Sequence, residues 1–80
     1  MILKVKEDVD LKELERFGYE SLILCYFKTP IFFKDDWIVR IDKQTREIIY
    51  WNVENGAKGN VEPHIQDLIQ AGLVEKVGEK

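Results

Sequence analysis

The chain is poor in the residues that most often build covalent staples and chemical centres: it has one cysteine, one histidine and two prolines. Cys25 alone excludes an intramolecular disulfide. His64 alone makes neither a nucleophile–base pair nor a zinc site, because the other candidate ligands are Cys25 and carboxylates without the spacing of zinc or calcium sites. No apolar run approaches the roughly 20 residues needed to cross a membrane. The start, Met-Ile-Leu, lacks a basic leader, so the expected setting is cytoplasmic, with no membrane partner. A phosphate-cradling P-loop and a dinucleotide-binding glycine fingerprint are also missing.

Basic charge is in deficit as well. Twelve Lys and Arg stand against fifteen Asp and Glu, a net charge of −3 spread over both halves of the chain. Nucleic acid is therefore a disfavoured partner, since phosphate neutralisation by basic side chains supplies most non-specific affinity.

What is present suffices for one domain. The 80 residues are 45 % hydrophobic and 34 % charged, the balance of a globular chain rather than a disordered one. We read residues 1–80 as a single compact domain with a small core. All aromatic side chains lie between Phe17 and Trp51, which places the centre of the core in the middle of the sequence.

Along the chain, residues 2–6 alternate loosely between apolar and charged, as in a strand with Leu3 and Val5 on one face. Asp10 can cap a helix beginning at Leu11, with Glu13 returning the bond and Val9 packing on Leu14. Leu11, Leu14 and Phe17 share a face, and Gly18 ends the helix. Residues 20–28 are apolar on both faces and read as a central strand, the most buried of the sheet, with Cys25 as a small core side chain. Pro30 interrupts it, leaving Ile31, Phe32 and Phe33 in a connection or irregular edge, and Asp35-Asp36 marks a turn.

Residues 37–42 and 47–53 form a hairpin whose loop puts Arg46 in the left-handed region. Its register pairs Ile41 with Ile48, Arg40 with Ile49, Val39 with Tyr50, Ile38 with Trp51 and Trp37 with Asn52. Trp37, Val39, Ile41, Ile48 and Tyr50 then line the core. Residues 55–60 are a turn-rich segment. A second helix starts near Pro63, buries Val61, Ile65, Leu68 and Ile69, and stops at Gly72. Residues 73–77 return to strand. The expected fold is α+β, a small antiparallel sheet with two helices on one face, in the order β-α-β-β-β-α-β.

The other hairpin face carries Ile38, Arg40, Ile49, Trp51 and Val53, too apolar for a plain solvated surface, with Arg40 placed to stack on Trp51; Ile38, Arg40, Ile49 and Trp51 are the candidate binding residues. Either a partner binds this face, or the 31–33 segment or a helix covers it. Gly56-Ala57-Lys58-Gly59 matches the four-residue loop by which KH domains approach a nucleic-acid backbone. In those domains the loop joins two helices; here it follows a strand, so an ordinary turn is the simpler reading. The corresponding nucleic-acid alternative would use Lys43, Arg46, Gly56, Lys58 and Gly59. A small enzyme or metal site around His64, Asp35 and Asp36 has no spacing to tie its members together.

The segments Asp-Val-Asp-Leu-Lys-Glu-Leu-Glu-Arg-Phe-Gly-Tyr, Trp-Ile-Val-Arg-Ile-Asp, Arg-Glu-Ile-Ile-Tyr and Asp-Leu-Ile-Gln-Ala-Gly-Leu-Val-Glu-Lys-Val together resemble small uncharacterised proteins of Gram-positive bacteria and their prophages. The resemblance implies a bacterial or phage origin and a cytoplasmic setting, and it brings no catalytic residues. The function expected from the residues is a non-enzymatic module for protein–protein interaction or self-association, without cofactor or metal.

Overall fold

The computed structural model describes residues 2–29 and 36–77. Alternation of side chains along the strands puts one apolar set on each central strand against the core, and an antiparallel sheet is the result. Its strands are β1 (Ile2–Val5), β2 (Glu20–Ser21), β3 (Cys25–Lys28), β4 (Trp37–Asp42), β5 (Glu47–Asn52), β6 (Lys58–Gly59) and β7 (Val74–Val77). They lie in the order β2-β3-β4-β5-β1-β7, with β6 also paired to β5. The two sides of β5 differ: β4 runs along all of one, whereas β1 pairs at Ile48 and Glu47 and β6 at Tyr50 and Trp51 on the other.

The β4–β5 hairpin has the register the alternation dictates, from Ile41 opposite Ile48 to Trp37 opposite Asn52. Asp42 closes the loop by accepting from the backbone N–H of Gln44 at 2.7 Å and of Thr45 at 2.9 Å. These bonds hold its carboxyl below the usual carboxylate range. Arg46 sits at φ 67°. Its guanidinium donates to the carbonyls of Lys6 and Val9 at 2.6 and 2.7 Å, which pins the loop to the chain after β1.

The first helical segment, Leu11–Phe17, is a 3₁₀ helix rather than an α-helix. Leu11, Leu14 and Phe17 are three apart, and three residues per turn stack them in one line, so the tighter helix points all three at the core. Asp10 caps it, accepting from the N–H of Lys12 at 3.0 Å. Glu13 does not return the expected bond, because its carboxylate is taken by Arg16 at 2.8 Å. Gly18 ends the helix at φ 91°.

The expected second helix is broken in two, a 3₁₀ turn at Glu62–His64 and α1 at Gln66–Gln70. Even so, Val61, Ile65 and Leu68 are buried, and Ile69 packs beside them. Both segments join one cluster with Leu3, Val5, Tyr26, Val39, Ile41, Ile48 and Tyr50, so they cover a single face of the sheet.

Two expectations about the elements need correction. Residues 20–28 are not one central strand. The chain folds back at 22–24, pairing Glu20 with Phe27 and Ser21 with Tyr26. A straight strand would send Tyr19 and Tyr26 to opposite faces, whereas the hairpin places both in the core, at 3 % and 4 % exposure. The cost falls on Leu22, Ile23 and Leu24, which are exposed at 49 %, 91 % and 70 %. Residues 58–59, read as part of a turn, form β6. The observed architecture is thus mostly sheet with short helical segments, one strand split and one added relative to the expected order. Ile31, Phe32, Phe33 and Asp35 lie outside the described residues.

Candidate functional site

The face of the sheet opposite the helices is built from alternate residues of β3, β4 and β5. Strand register sets Phe27 beside Arg40 and Arg40 beside Ile49, with Ile38 beside Trp51 in the adjoining row. All five side chains are half-buried. The Arg40 guanidinium lies over the Trp51 indole, 5.6 Å from the ring centroid, a diagonal pair across two strands. Further along the same face, Arg40, Asp42, Thr45, Glu47 and Ile49 border a shallow depression of about 170 Å³. Ile38, Arg40, Ile49 and Trp51 therefore form one contiguous patch, and Phe27, hidden in the sequence by the misread strand, extends it.

The residues of the nucleic-acid alternative are not gathered in this way. Lys43 and Arg46 sit in the β4–β5 loop at one end of the hairpin, while Lys58 stands opposite Trp51 near the other end. The Arg46 side chain is 19 % exposed and committed to two carbonyls. Lys43 donates to Ser21 Oγ at 2.8 Å and lies 5.0 Å from the Tyr26 ring centroid. Gly56 provides a left-handed turn residue at φ 75°. Gly59 serves packing: a Cβ there would come within 2.9 Å of Tyr50 Cδ2 and 3.3 Å of Trp37 Cζ3.

Gly59 borders a ring stack that sequence spacing did not reveal. Tyr50 lies between Trp37, 4.8 Å away between centroids, and His64, 4.0 Å away. His64 is half-buried against Tyr50. Asp36, read with Asp35 as a turn, bears on the Glu54 carboxyl, whose pKa is raised by hydrogen bonding to Asp36 and by its negative charge.

On the helical side, Lys28 donates to the Phe17 carbonyl at 2.8 Å and lies 3.6 Å from Asp67, with the Tyr19 ring 5.3 Å away. Burial, and secondarily the charge of Asp67, pushes the Tyr19 phenol well above its ordinary pKa. This cluster ties β3 to both helical segments.

Among the described residues, no three or more His, Cys, Asp and Glu side chains group closely enough to hold a metal ion. No helix among them is long and apolar enough to cross a membrane.

The sequence reading missed the exposed tip 22–24. One signal was available: a nine-residue strand exceeds the usual five or six, and a fold-back is the ordinary way to shorten it. The chain matches no protein-family model, no curated protein and no solved structure.

Proposed function

We propose that this chain is a non-enzymatic protein–protein interaction module whose binding surface is the sheet face opposite the helical segments, formed by Phe27, Ile38, Arg40, Ile49 and Trp51. One observation carries the reading: the helical segments pack on the opposite face, and these five neighbouring side chains, four of them apolar, remain half-buried. An indole, a phenyl ring and a guanidinium held over that indole are the residue types enriched among interface anchors. The sheet fixes their backbones and the cation–π contact restrains Arg40, so little side-chain freedom is left to lose on binding. A cytoplasmic setting and a bacterial or prophage origin belong to the same proposal and rest on the sequence resemblance.

The test is association by sedimentation and by pull-down, comparing wild type with Trp51→Ala and Ile49→Glu. Both variants are expected to keep the far-ultraviolet circular dichroism of the fold and to lose association. A monomer in which Trp51 fluoresces as a fully buried indole would overturn the proposal.

A further inference from the structure

The row that holds Phe27, Arg40 and Ile49 continues past β5. Extending the register of Leu3 with Ile48 by one residue sets Ile2 beside Ile49, and Ile2 is paired with Val77 on β7. Ile2 and Val77 are half-buried like the other three. A single stripe, apolar except for the Arg40 held over Trp51, thus crosses β3, β4, β5, β1 and β7, about 19 Å at ~4.8 Å per strand interval. Glu47 and Ile49 also border two hollows, the depression of about 170 Å³ on the β4 side and one of about 390 Å³ where β1 and β6 converge beside β5.

The two flanks of the stripe differ in charge. On one side the same registers line up Asp42, Glu47, Lys4 and Glu75, three carboxylates and one ammonium. The Lys4 ammonium lies 4.0 Å from Glu7, beyond the strand, and the Glu47 carboxylate has no hydrogen bond or ion pair among the described residues. Asp42 keeps its charge, since the loop N–H groups lower its pKa. On the other side stand Ile38, Trp51 and Lys58.

We infer that this face receives a basic amphipathic helix of another protein, its apolar side laid along Phe27, Ile49, Ile2 and Val77 and its basic flank along Asp42, Glu47 and Glu75. The inference rests on the reading of this face as the binding surface and adds the chemistry of the partner. A helix that spans the stripe needs about 13 residues at ~1.5 Å per residue. It suits a sheet face because its backbone groups bond within the helix, whereas an extended segment needs a sheet edge to pair with. Charge complementarity selects the basic flank and turns it away from Lys58. A second copy does not supply such a helix: its helical segments bury their apolar sides in its own core, and its net charge is also −3.

The probe is a synthetic peptide of that length, with leucine at helical spacing and lysine along one flank, compared with a peptide in which glutamate replaces lysine. Both are titrated against the intact chain by fluorescence anisotropy, with circular dichroism as the check on folding. The lysine peptide is expected to bind about tenfold more tightly than the glutamate peptide, a preference that shrinks as salt is added. Ile49→Asn, at the centre of the stripe, weakens the lysine peptide by roughly tenfold. Glu47→Lys brings the two peptides to comparable affinity, and Glu75→Lys on β7 takes its place if Glu47→Lys unfolds. Glu15→Lys makes the same charge change at an exposed position of the Leu11–Phe17 segment, on the other face, and leaves the preference as in wild type.

Equal binding of the two peptides by wild type, no binding of the lysine peptide, or an equal loss of preference in Glu15→Lys would each overturn the inference. The binding surface itself is judged separately, by association of Trp51→Ala and Ile49→Glu. Lost association in those variants with no peptide preference keeps the surface and removes the basic helix, whereas unchanged association removes both.

Discussion

Glycine at position 59 is required by its neighbours rather than by its own backbone. A methyl group there would press on Tyr50 at 2.9 Å and on Trp37 at 3.3 Å, two rings already stacked at 4.8 Å. Gly59→Ala is expected to destabilise the fold by about 1–3 kcal/mol, the range for overpacking, and to alter the near-ultraviolet circular dichroism of the ring stack. Urea denaturation measures the first effect. Glu54 gives a prediction of opposite sign. Its pKa is raised in the fold by Asp36, so the folded state holds the proton more tightly than the unfolded chain. That contribution favours folding in acid and is lost as pH rises from the unfolded pKa through the folded one. At neutral pH the two carboxylates repel, so Glu54→Gln should raise the melting temperature at pH 7 and leave it nearly unchanged below pH ~4, within the ordinary Glu titration range. Neither residue stands out in the sequence, because each owes its role to a neighbour brought in by strand pairing.

The β4–β5 hairpin was the most legible element. Its alternation, Asp42 at the start of the loop and the loop length together fix the register, and all of these are local. What the alternation does not show is why Arg rather than Gly occupies the left-handed position. The answer lies about 40 residues earlier in the chain, at the carbonyls of Lys6 and Val9, which Arg46 binds. Replacing Arg46 by Gly relieves a backbone cost of about 1–2 kcal/mol. It also removes two charge-assisted hydrogen bonds, each worth about 1.5–3 kcal/mol. The bonds outweigh the strain, and Arg46→Gly is expected to lower stability by roughly 1–5 kcal/mol in equilibrium unfolding. A gain in stability would show that the two carbonyls are satisfied equally well by water. The Leu11–Phe17 segment shows the limit of pattern reading at this scale. Apolar spacing of three marks a helix and its inward face, but choosing between 3₁₀ and α geometry depends on which one carries all three side chains to the core.

At the scale of the whole molecule, the two ends of the described chain meet. β1 lies between β5 and β7 and, among the described residues, is the only strand that pairs with β7. Removing residues 1–5 deletes Leu3 and Val5 from the core, each worth about 1.5–3 kcal/mol, and leaves β7 without its ladder. An 80-residue domain has roughly 4–12 kcal/mol of stability in total. The truncated chain is therefore expected to be largely unfolded by far-ultraviolet circular dichroism at 25 °C, whereas a native-like spectrum would mean that β1 is dispensable. The pairing also decides the candidate surfaces. The sheet turns Ile38, Arg40, Ile49 and Trp51 away from the helices and adds Phe27 to them.

The sequence by itself determined the short-range features: β1, β4, β5 and β7 as strands, the inward faces of the helical segments, the Asp10 cap, the Gly18 stop, the hairpin register, and the absence of spacing for a disulfide or a zinc centre. These depend on periodicity and on bonds within a few residues. Only the tertiary structure decided that residues 20–28 fold back, that β1 inserts beside β5, and that Tyr50 stacks between Trp37 and His64. An apolar run does not reveal which side of it will face the core. Here the requirement to bury Tyr19 and Tyr26 on one side settled that question, leaving Leu22, Ile23 and Leu24 exposed at the turn.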